Sequence, residues 1–299
     1  MRTENCEMKN KLIVILGPTC TGKTALALKL REELNGAIIS ADSRQVYKGM
    51  SIGTGKSGDG VGCYDLINPN ELFTVVDWAK VAKAAIEKIV SQGKMPIVVG
   101  GTGFYLDILT GRATVAGVMP DEKLRLKLNG LTAKKLFDKL EKLDPVRANA
   151  IDKNNPVRII RAIEVASTGK SKESNNLSYD CAPIYIGLTA PRAILYKRAD
   201  NFVNSLVPCG ILDEIKNLIE AGYENSKPMS GLIYNEFFKF IKGENTLEDA
   251  ITRCQYDMHA YIRRQLTWFN RNSEVTWFNI CDKDLYEKVR TCIQSNYGT

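Results

Sequence analysis

The sequence predicts an α/β protein whose parallel sheet carries helices on both faces. Short runs of apolar and β-branched residues, Leu12–Leu16, Ala37–Ser40 and Ile97–Val99, recur through the first third of the chain, as strands buried on both faces require. Between them, Ala25–Leu34 and Trp78–Ser91 place apolar residues at helical spacing, and strands that alternate with helices form parallel sheets. Polar turn residues follow each strand: Gly17–Thr24, Asp42-Ser43 and Gly100-Gly101-Thr102-Gly103. Ligands of open α/β sheets bind at these carboxyl ends.

Further along, Pro183–Leu188 and Val275–Ile280 are the runs expected to complete the sheet. The intervening chain is largely helical. Asp121–Leu143 is Lys-rich and amphipathic behind Pro120, and Asn155–Thr168 carries Arg158 and Arg161 and stops at Gly169. Thr246 and Asp249 form a capping box for a long helix running to about Arg271, with Leu247, Ile251, Cys254, Met258, Ile262, Gln265 and Phe269 on one face. Met1–Asn10 reads as a frayed start and Gly169–Asn176 as a polar, exposed link. The expected organisation is a core over 11–112, a short helical insertion over 113–143, and the rest of the core with helices and the last strand over 144–299.

Composition narrows the partners. With 44% hydrophobic and 25% charged residues, the chain is excluded from the disordered, collagen-like and coiled-coil classes. Its 41 Lys+Arg against 34 Asp+Glu leave +7, which suits a polyanionic partner. The eight cysteines form no C-x-x-C pair and His259 is the only histidine, so an ordinary zinc site is not expected. No apolar run approaches the ~20 residues of a membrane helix, and no signal-peptide pattern follows Met1. Free thiols then point to the cytoplasm, and a monomer without membrane attachment is expected.

Gly17-Pro18-Thr19-Cys20-Thr21-Gly22-Lys23-Thr24 satisfies G-x-x-x-x-G-K-[ST] between a strand and a helix. Backbone N–H groups of such a loop surround a diphosphate, the lysine adds charge, and the Thr24 hydroxyl can ligate Mg²⁺. The core is therefore expected to be P-loop NTPase-like. Asp42 fits a general base or, equally, a helix N-cap. Thr102 offers a hydroxyl in a glycine-rich turn. Arg158 and Arg161 share a helix face, and Arg264, Gln265 and Trp268 combine donors with a ring, as nucleic-acid contacts do.

Taken in order, G-P-T-x-x-G-K-T, the long motif over Ile38–Thr54, P-I-V-V-G-G-T-G-F-Y, R-I-I-R-A-I-E-V and R-Q-L-T-W-F resemble the tRNA dimethylallyltransferase family over nearly the whole chain. The resemblance implies transfer of a dimethylallyl group from dimethylallyl diphosphate to N6 of the adenine 3′-adjacent to the anticodon, with Mg²⁺. It implies Asp42 as general base and Thr102 near the bridging oxygen of the diphosphate held by Gly17–Thr24. Asp42, Ser43, Arg44 and Gln45, together with Val157, Arg158, Ile159, Ile160 and Arg161, match stretches that contact the tRNA anticodon arm. Where the family carries a diphosphate-binding arginine this chain has His259, so His259 or Arg263 is expected to replace it. The alternatives are a P-loop small-molecule kinase and an adenine-nucleotide prenyltransferase.

Overall fold

The computed structural model describes residues 11–168, 174–175 and 177–298. The expectations for Met1–Asn10 and for most of Gly169–Asn176 lie outside these residues. The described chain divides into two compact units, residues 11–113 with 177–298, and residues 114–176.

The larger unit is organised by a six-stranded parallel sheet of order β3-β2-β4-β1-β7-β8. Its strands are β1 (Lys11–Leu16), β2 (Gly36–Ser40), β3 (Val61–Gly62), β4 (Met95–Gly100), β7 (Ala182–Thr189) and β8 (Val275–Asn279). Strand β1 lies at the centre, pairing Ile13 with Ile97 on one side and with Ile184 on the other. Its residues from Leu12 to Leu16 are all buried, which explains why they read as an unbroken apolar run rather than an alternating one.

The helices of this unit are α1 (Lys23–Glu33), α2 (Val75–Ser91), α3 (Gly103–Leu109), α8 (Arg192–Leu206), α9 (Ile211–Glu220), α10 (Leu232–Ile241), α11 (Leu247–Phe269) and α12 (Leu285–Tyr297). The capping box at Thr246 forms as expected, with Asp249 answering it. A second box, Thr74 with Asp77, starts α2 three residues before the apolar periodicity of the sequence becomes visible. The core under the sheet joins Ile13, Ile15, Leu30, Ile97 and Ile186 to Val289 and Ile293 of α12.

Residues 114–176 hold α4 (Glu122–Leu128), α5 (Ala133–Leu143), α6 (Pro145–Ala150) and α7 (Pro156–Ser167), with β5 (Val115–Ala116) antiparallel to β6 (Ser174–Asn175). The single helix expected over Asp121–Leu143 is two helices. Asn129 ends α4, and Thr132 caps α5 by accepting from the Lys135 N–H. Leu128, Leu136, Leu140, Ile159 and Ile163 make a separate small core.

Glu164 holds this unit together. Only 1% of its side chain is exposed, and it takes a two-point contact from Arg125 (2.6 and 3.0 Å), a third bond from Arg161 (3.0 Å) and the Asp121 N–H (2.9 Å). Burial acts to raise its carboxyl, but these donors outweigh it and hold the carboxyl below its ordinary range. The sign follows: the stability it contributes is present above the ordinary carboxyl range and is lost as pH falls through the depressed value. Glu164→Ala removes the acceptor shared by Arg125, Arg161 and the Asp121 N–H, but both arginines still reach water and Arg161 keeps the Val118 carbonyl. The expected cost is therefore about 2 kcal/mol, read as faster amide exchange in α4 and α7.

Candidate active site

A cleft of about 610 Å³ opens in the larger unit where β1, β2 and β4 end. Each strand delivers a different chemistry. After β1 the chain folds through Gly17 (φ 141°), Cys20 (φ 62°) and Gly22 (φ 86°) before α1 begins at Lys23. A side chain at Gly17 would overlap the Leu188 carbonyl, so the left-handed turn and the close approach both demand glycine. Lys23 Nζ donates to the Pro18 carbonyl at 2.7 Å and Thr21 Oγ1 donates to the same oxygen at 2.9 Å, folding the loop around its own ammonium. Burial pushes the Lys23 amine down to about 8.

After β2, Asp42 turns its carboxylate into the cleft and its Oδ1 accepts the Arg44 N–H at 2.8 Å. That bond is a local Asx turn, yet Asp42 does not start a helix, so of the two sequence readings the N-cap does not form. Loss of water around the carboxyl raises it, against the opposing pull of Lys23 and Arg44. After β4, Thr102 Oγ1 accepts the Ser43 N–H at 3.1 Å and meets the Ser43 hydroxyl at 3.4 Å. Gly100 leaves no room for a Cβ beside the Ala41 carbonyl. The ends of β2 and β4 are thereby pressed together: Asp42 and Ser43 line the cleft, while Thr102 stands behind Ser43 with its hydroxyl engaged there and does not itself line it.

Other expected contacts sit differently. His259 bonds to Asp200 at 2.7 Å and stacks on Tyr196 with ring centroids 4.0 Å apart, while Arg263 donates to the Tyr196 hydroxyl at 2.9 Å. Both therefore face α8, and neither lines the cleft. The cation that α8 brings to the loop is Arg198, itself outside the cleft lining, whose Nε donates to the Cys20 carbonyl at 2.6 Å and whose Nη2 is the nearest atom to the open side of Gly22. Sequence patterning did not single it out, since an exposed arginine on a helix carries no local signal.

The residues matched to RNA contacts divide as well. Asp42, Ser43, Arg44, Gln45, Arg264 and Gln265 all line the cleft, but not all have free polar groups there. Gln45 is buried, accepting from Ser40 at 2.6 Å and donating to Thr54 at 3.1 Å. Gln265 is buried on α11, and Trp268 donates its indole N–H to Asp107 at 2.8 Å. In the smaller unit Ile159 and Ile160 belong to the core and Arg161 is committed to Glu164, which leaves Val157 and Arg158 exposed.

Comparison with known proteins matches these features to one family. The IPP transferase family matches residues 45–272, and the isopentenyl transferase family matches residues 10–60. A tRNA dimethylallyltransferase of Halalkalibacterium halodurans is 38% identical over 94% of this chain and 95% of that protein. One from a Roseiflexus species is 39% identical over 95% and 97%. The chain belongs to the tRNA dimethylallyltransferase family. Among solved structures, the tRNA isopentenylpyrophosphate transferase of Bacillus halodurans superimposes with a TM-score of 0.73 at 35% identity, covering 97% of both chains. The corresponding Staphylococcus epidermidis enzyme gives 0.71 at 33%, covering 96% of this chain and all of that one. As in other tRNA dimethylallyltransferases, the chemistry expected here is prenyl transfer, and the kinase alternative falls away. No helix among the described residues is long and apolar enough to cross a membrane.

Proposed function

We propose that the chain transfers a dimethylallyl group from dimethylallyl diphosphate to N6 of the adenine 3′-adjacent to the tRNA anticodon. The observation that carries the assignment of roles is the meeting, in one cleft, of a phosphate-binding loop with a desolvated carboxylate beside it. In the transfer, N6 attacks the allylic carbon, the carbon–oxygen bond breaks, diphosphate departs, and the N6 proton passes to Asp42. Positive charge grows on the allyl carbon and negative charge on the leaving oxygen. Lys23, the loop N–H groups and Arg198 then stabilise the transition state more than the ground state. A carboxyl raised by desolvation is a stronger base than an ordinary one, which helps it take a proton that acidifies as the new bond forms. Thr102, tied to Ser43, is the hydroxyl proposed for the bridging oxygen.

Mg²⁺ belongs to the same proposal. Among the described residues no three metal-ligating side chains of the His, Cys, Asp or Glu type cluster, but Thr24 and Asp42 both line the cleft. That sparse donor set fits an ion carried mainly by phosphate oxygens and water, with the Thr24 hydroxyl as its protein ligand. When bound, it would neutralise charge on the departing diphosphate. The seven described cysteines are all free, which supports a reducing, cytoplasmic setting, with a monomer as the working form.

Incubating unmodified tRNA with the protein and dimethylallyl diphosphate, followed by mass analysis of nucleosides, tests the reaction. N6-dimethylallyladenosine next to the anticodon is the expected product, and its absence overturns the assignment. Arg158, exposed at the start of α7, is proposed to meet tRNA phosphate. Arg158→Ala is expected to weaken tRNA binding and to reduce the slope of log affinity against log salt by about one. The KM for the donor stays unchanged.

A further inference from the structure

Gln265 lines the cleft, yet its amide is engaged by the protein itself. It sits on α11, 5% exposed. Its Oε1 accepts the Thr19 N–H of the phosphate loop at 2.9 Å, and its Nε2 donates to the Gly101 carbonyl at 2.9 Å. One planar amide therefore spans the loop after β1 and the loop after β4. The fit leaves no slack on the second side, because a Cβ at Gly101 would overlap Gln265 Nε2. One turn further along α11, Trp268 lies against Gly103, where a Cβ would again overlap, while its indole N–H holds Asp107 of α3. Two consecutive turns of one helix thus fasten the Gly101–Gly103 turn, which contains Thr102.

We infer that Gln265 is a positioning residue that sets the separation between the diphosphate nest and the turns bearing Asp42 and Thr102. The inference rests on the proposed prenyl transfer and deepens it. The leaving group is held by the loop containing Thr19, and the accepting carboxylate is held through Ser43 by the turn containing Thr102. Nucleophile, allylic carbon and leaving oxygen must lie in line, so the distance between these two loops is a reaction coordinate of the complex. The planar amide fixes it, with Oε1 on the Thr19 N–H, Nε2 on the Gly101 carbonyl, and the neighbouring Tyr261 side chain in hydrogen-bond contact as well. Hydrophobic contact alone would leave that distance soft, and displacements near 1 Å cost about a hundredfold in rate.

Two variants separate this role from mere packing. Gln265→Glu keeps the shape and the acceptor for Thr19 but has no donor for the Gly101 carbonyl. Gln265→Leu has neither. With wild-type protein as reference, kcat for prenyl transfer is expected to fall about tenfold in Gln265→Glu and about a hundredfold in Gln265→Leu. The KM values for donor and tRNA stay within about threefold, as expected when ground-state binding is retained and alignment is lost. By hydrogen exchange, the amides of residues 17–24 and 100–103 are expected to speed up together in both variants, while those of β7 and β8 hold.

Retention of kcat in Gln265→Leu, or a rise in both KM values at constant kcat, overturns the inference. So does loosening of one loop without the other. Should Gln265→Leu fail to fold, the near-isosteric Gln265→Glu carries the same two readouts. If wild-type protein makes no prenyladenosine, it is the proposed reaction that fails. The exchange measurement then decides by itself whether Gln265 couples the loops.

Discussion

Asp42→Asn lowers kcat for prenyl transfer by about 10²–10⁴-fold, the range expected for removing a general base, and leaves donor affinity close to that of wild type. The asymmetry follows from what the side chain does. Asparagine can still accept the Arg44 N–H that positions residue 42, so the turn after β2 survives. It cannot take a proton. The diphosphate nest is built by a different strand end and is unaffected. Single-turnover transfer to tRNA with saturating donor checks this. Equal rates for the two proteins would remove Asp42 from the proton-transfer step.

Lys23→Met is expected to lower kcat by about 10²–10³-fold, the cost of deleting one preorganised charge from a developing anion, and to weaken binding of inorganic diphosphate. In the ligand-free protein, burial has pushed the Lys23 amine from 10.5 down to about 8. Wild-type affinity for diphosphate should therefore fall as pH rises through about 8, relative to the affinity of Lys23→Met measured at each pH. The same shift has a stability consequence of opposite sense. Between about 8 and 10.5 the unfolded chain holds the proton that the folded one has shed, so the contribution of this group to folding stability rises with pH across that window. Calorimetric titration with inorganic diphosphate at several pH values measures the first effect. A constant ratio between the two proteins would show that Lys23 stays charged throughout.

The sheet and the three strand ends were legible because buried parallel strands and their turns write themselves locally: an apolar run, then glycine, aspartate or threonine. The phosphate loop was legible for the same reason, being eight consecutive residues. What could not be read were partnerships between distant elements. Arg198 reaches the Cys20 carbonyl across 178 positions, and nothing near it in the sequence distinguishes it from any other exposed helical arginine. Gln265 and Trp268 carry polar groups and a ring that resemble RNA contacts by type, yet their partners, Thr19, Gly101 and Asp107, turn them inward. Ile159 and Ile160 fell in a matched RNA-contacting stretch, but the periodicity of α7 places them in a core. Glu164, buried between two arginines, is not legible either, because a lone glutamate on an apolar helix face gives no hint of its partners. Residue type and motif position identify the region of a site; only packing decides which side chains face the ligand.

The central place of β1 governs the order in which a ribosome could complete this enzyme. The strand bearing the phosphate loop is made before the other five strands of its sheet, yet it is flanked by β4 on one side and by β7, starting at Ala182, on the other. The Tyr297 hydroxyl then bridges β1 and β7 by bonding to the backbone of Leu12 and Ala182. A nascent chain halted before β7 would carry the phosphate loop and the motifs up to R-I-I-R-A-I-E-V but have a half-paired β1, with neither Arg198 nor Gln265 to finish the nest. Interrupted translation should thus release products unable to sequester allylic diphosphate.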